Sequence, residues 1–184
     1  MRLFIAVNLP EEIKNNILEA RDSLERENAD AKWAAGENYH ITLKFLGEVK
    51  EETIPAITGA MAAAAEGFGQ FEVSFSGIGG FPDIIRPKVI WAGVEDGADR
   101  LKSLAEKVDL EVSKLGFKPE KRPFSAHLTI ARVRSLRNIN GLTKKIEQYE
   151  KSGFGKYTLN EIFLMQSTLS LQGPVYTCLK CVSV

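Results

Sequence analysis

An α+β fold built from two related halves is what the sequence predicts, and three observations predict it. Strand-like and helix-like segments run β-α-β-α-β through residues 1 to about 80 and then begin again. The third strand of each run carries the same His-apolar-Thr-apolar core, "HITL" at His40 and "HLTI" at His127, and the chain has no other histidine. Apolar residues make up 44% of the 184, enough for a shared core, yet no apolar run approaches the roughly 20 residues of a membrane-spanning helix.

The opening "RLFIAVNLP" reads as an apolar strand closed by Asn8 and Pro10, and "EEIKNNILEARDSLERENA" sets Ile13, Ile17, Leu18 and Leu24 at helical spacing. In "NYHITLKFLG" the apolar Tyr39, Ile41, Leu43 and Phe45 alternate with His40, Thr42 and Lys44, and Gly47 ends the strand. "EETIPAITGAMAAAAEG" is a helix by its alanine content despite Pro55, "FEVSFSGI" is a strand, and "GGFPD" is a turn. The second run has "KVIWAGVE" as a buried strand, then "DRLKSLAEKVDLEVSKLG" as an amphipathic helix stopped by Gly116, then "FSAHLTIARV" as a strand. "NINGLTKKIEQYEKSG" is a shorter helix, and "KYTLNEIFLMQSTL" and "PVYTCLKCVSV" are two closing strands. Aligning Phe4 with Ile90 and His40 with His127 gives offsets of 86 and 87, so pseudo-repeats of about 1–80 and 86–170 are expected, followed by a C-terminal strand. No Ser, Pro or Gly-rich linker divides them, and residues 1–184 are expected to form one bilobal domain.

Lys plus Arg and Asp plus Glu are 24 each, so net charge alone points to no polyanionic partner. The charge is uneven, however. From Lys114 to Lys145 nine basic residues, Arg122 and Arg132 among them, face a single acid, Glu120. "MRLFIAVNLPEEI" has too short an apolar stretch for a signal peptide, and the protein is expected in the cytoplasm. Cys178 and Cys181 form a C-x-x-C on a strand-like segment, where neither a zinc site nor a helix-opening redox pair fits, so a structural or incidental role is expected.

Side chains of a strand alternate between faces, so His and Thr share one face in each segment, while Ile41 and Leu43, or Leu128 and Ile130, share the other. If an approximate two-fold axis relates the halves, the polar faces converge across one groove with two imidazoles and two hydroxyls. A lone His-x-Thr is more often a satisfied or exposed histidine, but both histidines share the pattern. A metal pair suits the segments poorly, because neither has a carboxylate or cysteine at ligand spacing and H-E-x-x-H is absent. Opposed imidazoles suit paired acid and base chemistry instead, one protonating a leaving oxygen and the other activating water. In-line displacement at phosphorus needs that arrangement, and the Thr hydroxyls can stabilise the nonbridging oxygens.

"RLFIAVNLP", "HITLKFLGEV", "RPFSAHLTIARV" and "PVYTCLKC" together resemble the two-histidine phosphoesterases, and more narrowly their RNA 2′,3′-cyclic phosphodiesterase branch, historically named 2′-5′ RNA ligases. The resemblance implies a bilobal α+β fold with antiparallel-rich sheets lining a central groove and helices outside. It implies metal-independent hydrolysis of RNA 2′,3′-cyclic phosphate ends to 2′-phosphomonoesters, without a cofactor; the chain is expected to act as a monomer. His40 would be the proton donor to the departing 3′ oxygen and His127 the acceptor that activates water. Thr42 and Thr129 would bind phosphate, Phe45 would lie against the nucleoside, and Arg132 and Arg122 would assist the phosphate or neighbouring backbone. Members often have proline before the second histidine where this chain has Ala126, whose side chain points away from the catalytic face. Strand parity assigns Phe45 to the core beside Ile41 and Leu43, against the resemblance, and gives Arg132 the same parity unless its strand bulges or ends there. The alternatives are a non-catalytic RNA-end-binding module and 2′-5′ end joining, in which a 5′ hydroxyl replaces water.

Overall fold

The structure is a computed structural model that describes residues 1–171 and 173–184. Two antiparallel sheets form it. The first has the order β3-β1-β8-β9, from β1 (Arg2–Asn8), β3 (His40–Glu48), β8 (Glu161–Ser170) and β9 (Gly173–Ser183). The second has the order β2-β6-β5-β4-β7, from β2 (Ala31–Trp33), β4 (Phe71–Phe81), β5 (Val89–Val94), β6 (His127–Val133) and β7 (Gly153–Leu159). The run β3-β1-β8-β9 matches β6-β5-β4-β7 strand for strand. In each case the third strand comes from the other half of the sequence, so neither sheet belongs to one half alone.

Four helices back the sheets. α1 (Glu11–Glu25) turns Ile13, Ile17, Ala20 and Leu24 inward and packs with α4 (Ile139–Glu147) against the second sheet. α2 (Ile54–Ala65) and α3 (Ala98–Ser113) pack on each other and on β9 and β3 of the first. Pro55 is harmless because it falls in the first turn of α2, where its missing N–H has no partner to lose. Gly116 closes the last turn beyond α3 at φ +93°, a left-handed conformation that costs a residue with a Cβ, and its N–H donates to Ser113 O.

The α+β architecture agrees with expectation, and four details differ. β2 is a three-residue strand on which the sequence pattern is silent. "KYTLNEIFLMQSTL" is two strands, since the chain leaves the second sheet at Leu159 and enters the first at Glu161. Gly79–Phe81, expected as part of a turn, extends β4. α1 ends at Glu25 and α4 at Glu147, short of the patterns that predict them.

Candidate active site

With the helices outside, each sheet offers its other face to a groove, and β3 and β6 lie in contact there. His40 and His127 are the first residues of those strands. Ile41, Leu43, Leu128 and Ile130 behind them belong to one core. His40, Thr42, His127 and Thr129 are half-buried on the opposite faces.

Both imidazoles are held alike. His40 Nδ1 lies 2.7 Å from Asn38 O, and His127 Nδ1 lies 2.7 Å from Ser125 O. A carbonyl only accepts, so Nδ1 carries the proton and donates, leaving each Nε2 to accept a proton or, when charged, to give one. The backbone just before each strand thereby fixes tautomer and ring orientation.

Their surroundings differ. The His40 ring packs on Phe4 (4.9 Å between centroids) and edge-on against Tyr176 (5.1 Å), with Nε2 3.0 Å from Thr42 Oγ1. Phe4, Ala6 and Met165 form a small apolar cluster under it, with Phe163 and Tyr176 against them. Asn38 Nδ2 donates to Pro174 O (3.0 Å), fastening the start of β9 over this wall. Burial pushes the His40 imidazole below its ordinary value, helped by the Lys14 charge and opposed by the Asn38 carbonyl. His127 meets the ring of Phe81 edge-on at 5.1 Å, and Phe81 packs on Trp91 at 5.2 Å. Trp91 crosses over Gly79, where a Cβ would overlap its six-membered ring, so only glycine there admits the indole.

Simple alternation is broken at the same place in both strands. In β3 the ladder with β1 runs Ala6↔Thr42, Ile5↔Lys44, Phe4↔Phe45, skipping Leu43. In β6 the ladder with β5 runs Trp91↔Thr129, Ile90↔Ala131, Val89↔Arg132, skipping Ile130. Each is a β-bulge one residue after the threonine, and a bulge reverses the parity beyond it. Leu43 and Lys44 therefore both point inward, as do Ile130 and Ala131. Phe45 and Arg132 return to the histidine faces.

That overturns the parity assignment of Phe45 to the core. Its side chain is 61% exposed, 6.1 Å from the ring of Phe4. Arg132 is exposed, and its charge acts on Tyr176 of the opposite sheet, opposing the burial that raises the phenol's pKa. The two walls thus lie near enough for the Arg132 charge of one to be felt by the tyrosine packed on His40 of the other. Arg122 is exposed in the loop before β6 and shares a hollow with Phe45.

The same bulge turns Lys44 inward, where it is 3% exposed, the single buried charged side chain among the described residues. A buried ammonium must be paired, and Lys44 Nζ lies 2.5 Å from Asp109 of α3, 3.8 Å from Glu120 and 2.7 Å from Lys118 O. Asp109 also accepts the Glu120 backbone N–H. Alternation placed Lys44 on the polar face. Phe4, Phe81, Trp91 and Tyr176 escaped notice because each looks like an ordinary strand residue, and only strand pairing puts them beside a histidine.

Among the described residues no three His, Cys, Asp or Glu side chains converge as a metal site. Two imidazoles on strands that lie in contact, each donating through Nδ1 and each with a hydroxyl two residues on, make a site that gives and takes protons around an anion, the equipment of a phosphoesterase. The comparisons agree. The model of the LigT-like phosphoesterases matches residues 7–91 and 93–176. The RNA 2′,3′-cyclic phosphodiesterase of Methanothermobacter thermautotrophicus is 34% identical over 177 residues, covering 96% of this chain and 95% of its own. The crystal structure of TT0787 of Thermus thermophilus superposes with a TM-score of 0.81 at 31% identity, over 100% of this chain and 97% of that one. E. coli LigT complexed with 3′-AMP superposes at 0.80 and 25% identity over the same shares. The chain belongs to the LigT-like phosphoesterase family.

Proposed function

We propose that the protein hydrolyses RNA 2′,3′-cyclic phosphate ends to 2′-phosphomonoesters without a metal or other cofactor. The observation that carries the reading is the pair of imidazoles held alike through Nδ1, which leaves the two Nε2 atoms for proton transfer, that of His40 beside the Thr42 hydroxyl. The relatives named for this reaction support the substrate. Water attacks phosphorus in line with the 3′ oxygen. His127 Nε2 takes the proton that water loses, the P–O3′ bond breaks, and protonated His40 gives its Nε2 proton to O3′, leaving the phosphate on O2′. Thr42 and Thr129 donate to the nonbridging oxygens, Phe45 lies against the terminal nucleoside, and Arg132 and Arg122 balance phosphate charge. The site can also run 2′-5′ joining, with a 5′ hydroxyl replacing water.

Burial disfavours a proton on His40 in the empty groove, and the negative phosphodiester favours it once bound, so the donor is charged by the substrate it serves. The same reading takes residues 1–184 as one bilobal domain of pseudo-repeats about 1–80 and 86–170, acting as a cytoplasmic monomer. The matched strand order of the sheets and the two successive stretches matched by the family model support the repeats. No described helix is long and apolar enough to cross a membrane.

The test is a short RNA ending in a 2′,3′-cyclic phosphate, incubated with and without EDTA, with the monoester identified. Turnover to the 2′ product in both is expected. His40→Ala and His127→Ala should each lower kcat by about 10²- to 10⁴-fold. Full activity in both variants, or activity abolished by EDTA, rejects the mechanism.

A further inference from the structure

Lys44, Phe45 and Leu46, farther along β3 from His40, line a hollow of about 420 Å³ with the loop that precedes β6. Its walls mix aromatic and basic groups: Phe45 and Phe117, with Lys118, Lys121 and Arg122. Those three basic side chains are exposed and carry no ion pair to any described residue. The one acid on the loop, Glu120, is already turned to Lys44. Buried Lys44 also holds the loop, gripping the Lys118 carbonyl from below while Asp109 binds the Glu120 N–H. The outcome is a fixed shelf on which three basic side chains outnumber the one acid, Glu120, beside the face that carries Phe45. Its volume falls in the range of about 300–1,000 Å³ typical of sites for small organic groups.

We propose that this hollow is a subsite for the nucleotide on the 5′ side of the cyclic end, with Lys118 and Lys121 meeting the phosphodiester that joins it to the terminal nucleoside. The proposal rests on the reading of the groove as a cyclic-phosphate hydrolase, and it makes the protein selective for oligonucleotide ends over isolated 2′,3′-cyclic mononucleotides. A terminal nucleoside against Phe45 has two ends, the cyclic phosphate toward His40 and His127, and its 5′ oxygen. His40 begins β3 and the hollow starts at Lys44 to Leu46 of the same strand, so a chain that leaves the 5′ oxygen past Phe45 enters the hollow. There a phosphate finds ammonium groups and a base finds Phe117, the pairing of backbone charge with aromatic faces that single-stranded RNA sites use.

The experiment compares three substrates at low salt: a 2′,3′-cyclic mononucleotide, a dinucleotide with the same cyclic end, and that dinucleotide with a neutral methylphosphonate between its nucleosides. The charged dinucleotide should exceed the mononucleotide in kcat/KM by about tenfold, the scale of one charge-assisted contact, and the advantage should fade as salt rises. The neutral dinucleotide should lose most of it. Lys118→Gln/Lys121→Gln should bring the charged dinucleotide down to the neutral one while leaving mononucleotide turnover unchanged, and Lys118→Arg/Lys121→Arg should restore the advantage. An advantage that survives the Gln pair, equal rates for charged and neutral linkages, or an equal fall for all three substrates overturns the subsite.

Titration of the wild type and the Gln pair with the 2′-phosphorylated mono- and dinucleotide products separates the two readings. A lysine-dependent binding preference for the dinucleotide without turnover of any cyclic substrate removes the hydrolase reading and keeps the subsite. Turnover of cyclic ends without that preference does the reverse.

Discussion

Replacing Phe45 by alanine separates the two descriptions of its strand. If alternation held, Phe45 would be a core residue, and truncation would cost about 3–5 kcal/mol, as for a buried phenylalanine such as Phe75, which is 1% exposed. The bulge gives another number. With the side chain 61% exposed, about two fifths of a surface of roughly 200 Å² is covered, or about 80 Å². At about 25 cal/mol per Å² that is at most about 2 kcal/mol, less in practice because alanine keeps the Cβ and the vacated space opens to water. The larger effect should fall on substrate. A base resting on an aromatic ring is worth about 1–3 kcal/mol, so kcat/KM on a cyclic-phosphate end should drop by about 5- to 140-fold. Urea denaturation of Phe45→Ala beside Phe75→Ala measures the first quantity, and initial rates on the folded protein measure the second. A denaturation midpoint as low as that of Phe75→Ala, with unchanged kcat/KM, would refute the bulge argument and return Phe45 to the core.

Three further outcomes follow from the geometry. Because burial lowers the His40 pKa in the empty groove and His40 must be protonated to act, kcat/KM should fall on the basic side from below about pH 6.5, whereas the same limb of kcat, which reports the substrate-bound form, should lie at higher pH; coincident limbs would contradict the assigned role. Lys44→Met should destabilise the fold by about 1–3 kcal/mol, less than a fully buried broken pair, because Glu120 and part of Asp109 reach water; no change in the urea midpoint would show the pairing to be energetically idle. Gly79→Ala should force the indole of Trp91 away from its place beside Phe81, changing tryptophan fluorescence and lowering kcat, and a variant with native emission and rate would mean that the ring has room to spare.

The sequence made the two His-x-Thr strands legible because a period of two is a property of single strands, and each strand displays it unaided. It placed their apolar backs correctly: Ile41, Leu128 and Ile130 are fully buried. What it could not show depends on two strands at once. Whether Leu43 occupies a ladder position or is skipped is decided by Ile5 and Ala6 on the neighbouring strand. Lys44 and Phe45 inherit that decision and exchange faces, and Arg132 follows suit in β6. The break at Asn160 was hidden likewise, because both halves of "KYTLNEIFLMQSTL" are good strand sequence and nothing local says that they enter different sheets. Tyr176 and Phe81 come from distant segments, and no spacing rule connects either to a histidine.

The paired bulges bear on how a repeated fold yields an asymmetric site. The bulge hands two positions to each strand, one turned inward and one returned to the groove. In β6 the inward position is Ala131, which packs, and the outward one is Arg132, whose charge acts on Tyr176 of the other sheet. In β3 the inward position is Lys44 and the outward one is Phe45. Polar and apolar roles are thus interchanged between equivalent positions, and each choice constrains its neighbour. A charge buried at Lys44 must be paired, and its partners fix the loop bearing Lys118, Lys121 and Arg122 next to Phe45. With alanine at that position the loop would lose its anchor, and Phe45 would face open solvent instead of a basic shelf. Lys44 therefore influences the groove through the loop it holds and not through any contact with phosphate. On that account Lys44→Met should weaken the preference for dinucleotide over mononucleotide ends at temperatures where the variant is fully folded, while mononucleotide turnover stays near wild type. Equal losses on both substrates would place the effect of Lys44 on the catalytic strand itself.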